Sequence, residues 1–286
     1  MPEGPEIRRA ADRLFKAVGR QPLEQVWFAS PALKDKARPL LGCRIIAIDT
    51  HGKAMLTRFD NGSTLYTHNQ LYGVWQIARA GERPQTSRSL RVALETDKDA
   101  ILLYSASDIA LWKTDELDRH PFLSRLGPDV LDKQLTAAAV ARRLQEPRFM
   151  RMSLAALLLD QGFLAGMGNY LRSEVLFEAG IAPTRDAAGL SADERRLLAK
   201  ALLDVPRRSY RSRGIRKAAG MKAEYITDTP DGFAFKVFDR AGEPCLDCGT
   251  PIRRRELAGR RLYDCAHCQR QERAGFALIC DNPGHG

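Results

Sequence analysis

The chain opens with Met1-Pro2-Glu3-Gly4-Pro5-Glu6-Ile7-Arg8-Arg9-Ala10, and the rest of the sequence is organised around this stretch. Removal of Met1, which a small second residue generally allows, leaves Pro2 with a free secondary amine. An α-amine has an ordinary pKa of about 7.7–8.0, so a useful fraction is an unprotonated nucleophile near neutral pH. Such an amine attacks an aldehyde carbon to give an iminium ion, and Glu3 and Glu6 could move protons beside it. The commoner meaning of such residues is a frayed terminus followed by a Pro-Glu helix start.

Apolar residues after this stretch recur at helical spacing and predict a helix over residues 5–18. Burial of one helix face would fix where the Pro2 amine points. Between residues 23 and 106 the pattern changes to short strands, with a strong hairpin turn at Asp60-Asn61-Gly62. Many short strands at this spacing predict an antiparallel β-sandwich, and the preceding helix makes the first domain α+β. The predicted strands cover residues 23–28, 44–50, 54–59, 64–67, 74–78, 90–95 and 101–104.

Two loops of this β region carry polar residues of interest. Lys53 in His51-Gly52-Lys53 lies between two strands, where it could present a charge at a sheet edge, although a lone loop lysine is usually solvated. The loop His68-Asn69-Gln70-Leu71-Tyr72-Gly73 mixes amide, aliphatic and aromatic side chains. It is either a packed turn or a wedge that enters a DNA duplex.

The second half of the chain is predicted to be helical. Residues 115–125 have a helical pattern and lead to the breaker Leu126-Gly127-Pro128-Asp129, which predicts a domain boundary. A capping box at Ser191-Ala192-Asp193-Glu194 opens a helix to about residue 203. The other predicted helices are residues 136–144, 154–161 and 169–179, the last ended by Gly180.

Three further features lie between or after these helices. The glycine-rich turn 162–168 lets the backbone approach something closely, and Asn169 follows it at a helix N-terminus, a natural phosphate site. Residues 205–222 carry seven Lys or Arg and no acid, which indicates a disordered basic linker or an electrostatic contact strip. Residues 233–238 are predicted to form a strand.

Charge indicates the class of partner. The 286 residues carry a formal net charge of +10, which favours a polyanion, either nucleic acid or an anionic membrane surface. No apolar run in the sequence reaches the ~20 residues of a membrane span. The polar, acidic N-terminus shows no signal peptide, so we expect a cytoplasmic protein.

Four of the six cysteines form a metal-binding pattern near the end of the chain. Sixteen residues separate Cys245-x2-Cys248 from Cys265-x2-Cys268, which is the spacing of a zinc ribbon or finger. Four thiolates leave no open position on the metal, so one structural Zn²⁺ is expected. Cys43 and Cys280 have no visible partners, and Cys43 is expected to be a buried small hydrophobe. The arginines between the cysteine pairs indicate a hairpin that contacts DNA: Arg253, Arg254, Arg255, Arg260 and Arg261.

The combination resembles the formamidopyrimidine-DNA glycosylase/endonuclease VIII family. The resemblance rests on Pro2-Glu3-Gly4-Pro5-Glu6, on Gly166-Met167-Gly168-Asn169-Tyr170 and on the four-cysteine finger, and it runs from Pro2 to about Gln269. The N-terminal motif together with His68-Asn69-Gln70-Leu71-Tyr72-Gly73-Val74-Trp75 is most similar to the bacterial endonuclease VIII branch. The resemblance implies a helix-flanked β-sandwich at residues 1–125, a helix–two-turns–helix domain at 126–222, a zinc finger at 233–270 and a tail at 271–286.

The resemblance also implies a function. A base-excision-repair DNA glycosylase and AP lyase of this branch removes oxidised pyrimidines such as thymine glycol and nicks the strand by β,δ-elimination. Pro2 is then the nucleophile at C1′, Glu3 the proton donor for opening the sugar ring, and Lys53 the proton donor associated with β-elimination. Arg260 lies five residues before the third cysteine, where the family has the arginine that assists δ-elimination. Its neighbour Arg261 leaves that assignment open by one residue.

DNA contacts follow in the same way. Gln70, Arg125 and Asn169 match family DNA-contact positions, Leu71 and Tyr72 would fill the hole left by a flipped nucleotide, and Glu6 is a supporting carboxylate. The expected partner is damaged double-stranded DNA, bound by a monomer. The alternatives are a purine-directed glycosylase for 8-oxoguanine and formamidopyrimidines, or a non-enzymatic lesion-binding protein. Gly4 and the Gln-Leu-Tyr loop argue against the first, and Pro2, Glu3 and Lys53 together argue against the second.

Overall fold

The computed structural model describes residues 2–216 and 231–270. Met1, Cys280, the tail and the end of the basic strip at 217–222 lie outside these ranges. Helix α1, Gly4–Val18, confirms the predicted N-terminal helix, and Pro5 in its first turn supplies a preset φ. Glu3 and Glu6 form a capping box at its start. Its apolar face is buried, and the helix thereby holds the N-terminus at a defined place.

The predicted β-sandwich is confirmed. Two four-stranded antiparallel sheets have the orders β1-β6-β7-β5 and β2-β3-β4-β8. Side chains from both sheets and from α1 share one buried core, which includes Ile7, Phe28, Ile48 and Leu103. The strands are β1 Gln25–Phe28, β2 Ile45–His51, β3 Ala54–Phe59, β4 Ser63–His68, β5 Val74–Arg79, β6 Leu90–Glu95, β7 Asp99–Tyr104 and β8 Asp108–Lys113. Strand β8 was not predicted from the sequence; it is half-buried along most of its length and carries no alternation of buried and exposed residues.

The remaining helices form the second half. Besides the single turn α2, Pro31–Lys34, they are α3 Ala137–Arg143, α4 Leu154–Leu157, α5 Asn169–Ala179 and α6 Ala192–Arg211. Residues 115–125 form two 3₁₀ helices, Thr114–Arg119 and Leu123–Arg125, instead of one helix. The prediction of a helix over 154–161 was too long, because α4 is one turn. The predicted stop near residue 203 was wrong, since α6 continues through Pro206 with Val205 and Pro206 buried.

The predicted strand at 233–238 was also wrong. The backbone N–H groups of Lys236, Val237 and Phe238 donate to the buried carboxylate of Glu174 at 2.8–3.0 Å, so a side chain replaces the strand partner. The rings of Phe233, Phe235 and Phe238 pack around Tyr170 of α5. After this segment, β9 Arg253–Leu257 and β10 Arg260–Asp264 form the antiparallel hairpin of the finger.

Close backbone approaches join the sandwich to the helical half. Gly4 N donates to Gly166 O at 2.9 Å, and a Cβ on Gly4 would lie 3.1 Å from Gly166 Cα. Gly52, in the β2–β3 turn, donates its N–H to Asp129 Oδ2 at 2.6 Å, and His51 Nε2 lies 3.0 Å from Gly127 O. Across the residues that the structure covers, no helix is both long and apolar enough to cross a membrane.

Candidate active site and nucleic-acid interface

The N-terminus of α1 meets the N-terminus of α5, and both ends are buried. Pro2 is buried, and the Glu3 carboxylate accepts hydrogen bonds from the backbone N–H groups of Tyr170, at 2.9 Å, and Leu171, at 3.2 Å. These are free N–H groups of the first turn of α5, a natural anion site. A Cβ at Gly168 would lie 2.3 Å from Glu3 Cδ, so the glycine before Asn169 is required for this close approach. The N-terminal motif, residues 2–6, thus packs against the glycine-rich motif, residues 166–170.

Glu3 titrates near neutrality. Burial raises the pKa of Glu3 from its ordinary value of 4.5 to about 7, against the opposing effect of the Lys53 charge and the two backbone N–H donors. A carboxyl with this pKa is neutral in a large fraction of molecules at pH 7. It can therefore both give and take a proton there, which is what general acid–base chemistry requires.

Glu6 is buried and accepts hydrogen bonds on both of its carboxylate oxygens. Its Oε2 accepts from Glu3 N at 2.9 Å, and its Oε1 accepts from Arg9 Nη2 at 2.8 Å and from the Tyr170 hydroxyl at 3.0 Å. Burial raises the pKa of Glu6, opposed chiefly by the Arg9 charge. The Tyr170 hydroxyl also lies 3.0 Å from Ser209 Oγ, so α1, α5 and α6 meet in one buried polar network.

Lys53 shares the electrostatic environment of Glu3 and Arg260. Burial lowers the pKa of Lys53, the Glu3 charge raises it, and the Arg260 charge lowers it further. These three residues are far apart in sequence, and the fold brings their charges together. Arg261, the neighbour of Arg260 on β10, instead acts on the pKa of Tyr263. Of the two candidates, Arg260 is the one whose charge acts on the pKa of Lys53.

Arg172, which the sequence analysis missed, positions the finger. Its side chain is 0% exposed. The guanidinium donates to main-chain carbonyls on both sides of the hairpin turn, at Leu257 O (3.2 Å) and Arg261 O (3.0 Å), and to Asn169 Oδ1 at 3.4 Å. Burial lowers the pKa of Arg172 to about 10. An arginine inside an otherwise buried helix is the sequence signal that could have identified it.

The four predicted cysteine ligands converge. The sulfur atoms of Cys245, Cys248, Cys265 and Cys268 all lie within 4.8 Å of one another, with the Cys248–Cys265 pair at 3.5 Å. A tetrahedral ion with metal–sulfur bonds of about 2.3 Å needs sulfur–sulfur edges of roughly 3.8 Å. The donor set thus fits a metal ion of this kind. Cys43, by contrast, is half-buried and packs beside the sandwich core.

The loop Gln70-Leu71-Tyr72 projects from the end of β4. Leu71 is 51% exposed and Tyr72 is 69% exposed, so neither side chain belongs to the core. Gln70 is exposed and has a φ of 46°, which is unusual for a residue other than glycine. The backbone bends sharply here and turns two large apolar side chains towards solvent.

Arg125 and Asn169 lie at opposite ends of the glycine-rich turn. Arg125 is exposed, its Nε donates to Pro121 O at 2.7 Å, and its carbonyl borders Gly162. Asn169 is the first residue of α5 and accepts from Arg172. The Glu3 site thus lies beside Asn169, and the Asn169 amide is connected through Arg172 to the backbone of the finger hairpin.

Comparison with known proteins gives consistent matches. The family model of the formamidopyrimidine-DNA glycosylase N-terminal domain matches residues 1–107, and that of the formamidopyrimidine-DNA glycosylase H2TH domain matches residues 126–218. The chain is 51% identical to endonuclease 8 of Escherichia coli O17:K52:H18, over 94% of the chain and 100% of the relative. It is 52% identical to endonuclease 8 of Pectobacterium carotovorum, with the same coverage.

Solved structures share the fold. The MutM (Fpg) protein of Thermus thermophilus has a TM-score of 0.76 and 30% identity, covering 94% of this chain and 98% of that one. Lactococcus lactis Fpg in complex with DNA containing an abasic site has a TM-score of 0.79, with 20% identity over 93% of this chain and 99% of that one. The second likeness concerns the fold alone.

Proposed function

The chain belongs to the formamidopyrimidine-DNA glycosylase/endonuclease VIII family and is a base-excision-repair DNA glycosylase and AP lyase, and we propose that it removes oxidised pyrimidines through an imine on Pro2. The observation that carries this proposal is the buried junction of α1 and α5. The Pro2-Glu3 end of the chain lies at this junction. The Glu3 carboxyl, whose pKa is about 7, shares one electrostatic environment with the charges of Lys53 and Arg260.

In the proposed first step, the Pro2 amine attacks C1′ of the damaged nucleotide. The C1′–base bond breaks, and the base leaves with the bonding electron pair and takes up the proton that the Pro2 nitrogen loses. The neutral Glu3 carboxyl protonates the ring oxygen O4′, so the C1′–O4′ bond opens and the iminium ion forms at C1′. The burial that raises the pKa of Glu3 supports this role, because the carboxyl must hold a proton before it can donate one.

Two eliminations follow. The iminium ion draws electrons from C2′, so loss of a C2′ proton breaks the 3′ C–O bond and releases the 3′ phosphate. Lys53 supplies a proton in this step, and its lowered pKa eases that transfer. A second elimination releases the 5′ phosphate and leaves a one-nucleotide gap. We assign assistance of this step to Arg260, because its charge acts on Lys53 whereas that of Arg261 acts on Tyr263.

Chemistry at C1′ requires the damaged nucleotide to leave the base stack. We propose that Leu71 and Tyr72 fill the resulting hole and that Gln70 pairs with polar groups inside it. The exposure of all three side chains supports this role. Asn169, Arg125 and the finger arginines would hold phosphates of the flipped strand. The proposed partner is damaged double-stranded DNA bound by a monomer, on the chromosome in the bacterial cytoplasm.

We propose one structural Zn²⁺ on the four cysteines. Bound there, the ion supplies local folding free energy, since the finger hairpin has a small core of its own. Hydrogen bonds from Arg172 of α5 then hold the hairpin beside the Glu3 site. We also propose that the chain divides into the domains 1–125, 126–222 and 233–270, followed by the tail 271–286.

Borohydride trapping on DNA tests the proposal. An enzyme that forms an imine becomes covalently linked to abasic duplex DNA, whereas a non-enzymatic lesion-binding protein does not. Duplexes with thymine glycol and with 8-oxoguanine then separate the two substrate classes. We expect trapping and preferential excision of thymine glycol; absence of trapping would contradict the mechanism, and faster excision of 8-oxoguanine would assign the purine-directed alternative.

A further inference from the structure

A histidine side chain is hydrogen-bonded to the wedge loop, which we define as Gln70-Leu71-Tyr72. Nδ1 of His68, the last residue of β4, accepts the Gln70 backbone N–H at 3.0 Å. This contact lies at the residue whose φ is 46°. Side-chain bonds from residue i to the N–H of residue i+2 stabilise turns of this kind. A second hydrogen bond restrains Gln70: Ser107 Oγ donates to Gln70 Oε1 at 3.1 Å.

We propose that His68 is a positioning residue for the wedge loop, and that the loop keeps its DNA-inserting shape only while His68 is neutral. The inference rests on the proposed wedge role of Gln70-Leu71-Tyr72. A backbone N–H can only donate, so Nδ1 must carry a lone pair and the ring proton must lie on Nε2. Protonation would place a second N–H opposite that of Gln70, and the hydrogen bond would be lost.

The surroundings of His68 define the pH at which this happens. His68 pairs in register with Asp108 of β8 and with Ala54 of β3, the residue after Lys53. The third neighbour is the Phe122 ring, 5.3 Å from the imidazole and uncharged. Burial lowers the pKa of His68, the Asp108 charge raises it and the Lys53 charge lowers it.

The net direction is downward from the ordinary value of 6.5. His68 is therefore neutral at neutral pH, and its protonation accompanies a fall in pH below about 6.5. The proposal predicts a wedge loop that is intact at neutral pH and weakened in acid.

The test compares two substrates that differ in whether a base stack must be opened. The rate of strand nicking is measured at an abasic site in duplex DNA and at the same site in single-stranded DNA. The titrations of Glu3, Lys53 and the Pro2 amine affect both rates and cancel in their ratio. For the wild-type chain, we expect the duplex-to-single-strand ratio to be constant above pH 7 and to fall as the pH is lowered from 6.5 through the acid range in which the protein stays folded.

Three variants distinguish the effect of the imidazole's titration from the effect of its hydrogen bond to Gln70. His68→Asn replaces Nδ1 with an amide oxygen that can accept the same N–H, because asparagine forms this turn readily. Its ratio should match wild type at pH 7.5 and stay flat down to pH 5. His68→Ala should lower the ratio at pH 7.5 about fivefold, the effect of one ordinary hydrogen bond. Ser107→Ala, the matched control, should lower the ratio without changing its pH dependence.

A wild-type ratio that does not change with pH, or a His68→Asn ratio that falls in acid as wild type does, would overturn the proposal. Two further results would overturn it: a duplex-to-single-strand ratio of His68→Asn at pH 7.5 as low as that of His68→Ala, or a ratio of His68→Ala equal to that of the wild-type chain. Nicking of the single strand reports folding and catalysis in every variant. Its loss in the wild-type chain would contradict the proposed function itself, which distinguishes that failure from a failure of the His68 proposal.

Discussion

Replacement of Glu3 by glutamine removes the proton and keeps the shape of the side chain. In the wild-type chain, the difference between an ordinary pKa of 4.5 and about 7 corresponds to about 3 kcal/mol of preference for the neutral carboxyl, at 1.36 kcal/mol per pKa unit. A glutamine is neutral at every pH. Its amide oxygen can accept one of the two N–H groups of Tyr170 and Leu171, and the other is left unpaired at a cost of about 1–3 kcal/mol.

The sign of the pH effect follows from the raised pKa. Because the folded chain binds the Glu3 proton more tightly than the unfolded chain, its contribution to stability is complete below pH 4.5 and is lost as pH rises towards 7. Between pH 5.5 and 8.5 this amounts to about 2 kcal/mol. Glu3→Gln should therefore be less stable than wild type at pH 5.5, and the deficit should shrink or reverse at pH 8.5.

In Glu3→Gln, excision of a damaged base and nicking of an abasic site should be affected to different extents. Loss of a general acid costs about 10²–10⁴-fold, so excision of thymine glycol should slow by that factor. Nicking of a preformed abasic site should fall far less, because its C1′ already interconverts with the open aldehyde. The assays are single-turnover excision and nicking between pH 5.5 and 8.5, with melting temperatures at both limits.

Glu24→Gln makes the same chemical change at an exposed position and serves as the control, with no expected effect. Excision by Glu3→Gln within threefold of wild type would refute the proton-donor role. A melting temperature with the wild-type pH dependence would refute the buried, titrating carboxyl.

Other parts of the site give separate expectations. Cys248→Ser should no longer bind Zn²⁺, and its DNA affinity should fall by about tenfold or more while the β-sandwich stays folded. Chelation of the metal from the wild-type protein should have the same effect. Full DNA binding by metal-free protein would contradict the structural role of the ion. Arg260→Ala should shift nicked products from δ- towards β-elimination on a sequencing gel, whereas a shift seen with Arg261→Ala alone would move the role by one residue. Truncation of Leu71 and Tyr72 to Ala should slow excision in duplex DNA by about tenfold or more, at 1–3 kcal/mol per stacking contact, with an unchanged melting temperature. Equal losses on single-stranded abasic DNA with a lowered melting temperature would rule out the wedge.

Local patterns were sufficient to predict much of this fold. Helical spacing after Pro5 identified α1, and the residues 54–59 and 90–95 were predicted with the same bounds as β3 and β6. Helix α5 was also predicted with its observed bounds, because Gly180 at its end adopts the left-handed conformation that stops helices. Cysteine spacing identified the four sulfur atoms that converge. The helix stop at Gly180 and each Cys-x2-Cys pair are decided by residues that lie close together in sequence.

The errors arose where distant residues decide the structure. Segment 233–238 has strand-like apolar residues, but Glu174 accepts its N–H groups from a helix 62–64 residues earlier. The helix that opens at Ser191 was predicted to end near residue 203, yet α6 continues to Arg211 with Pro206 buried inside it. The pKa of Glu3 likewise depends on burial at the N-terminus of α5, 167 residues away in sequence from its hydrogen-bond donor Tyr170, which no local pattern reveals. Arg172 acquires its role only when α5 and the finger hairpin meet.

In the proposed mechanism, the N-terminal amine of Pro2 forms the covalent intermediate. The most direct measurement is peptide mass spectrometry of the borohydride-reduced adduct with abasic DNA, with sequencing to locate the modified nitrogen. We expect a single adduct on Pro2 of chains that have lost Met1, and no adduct on a variant that retains Met1. An adduct on Lys53, or equal trapping by the Met1-retaining variant, would contradict it.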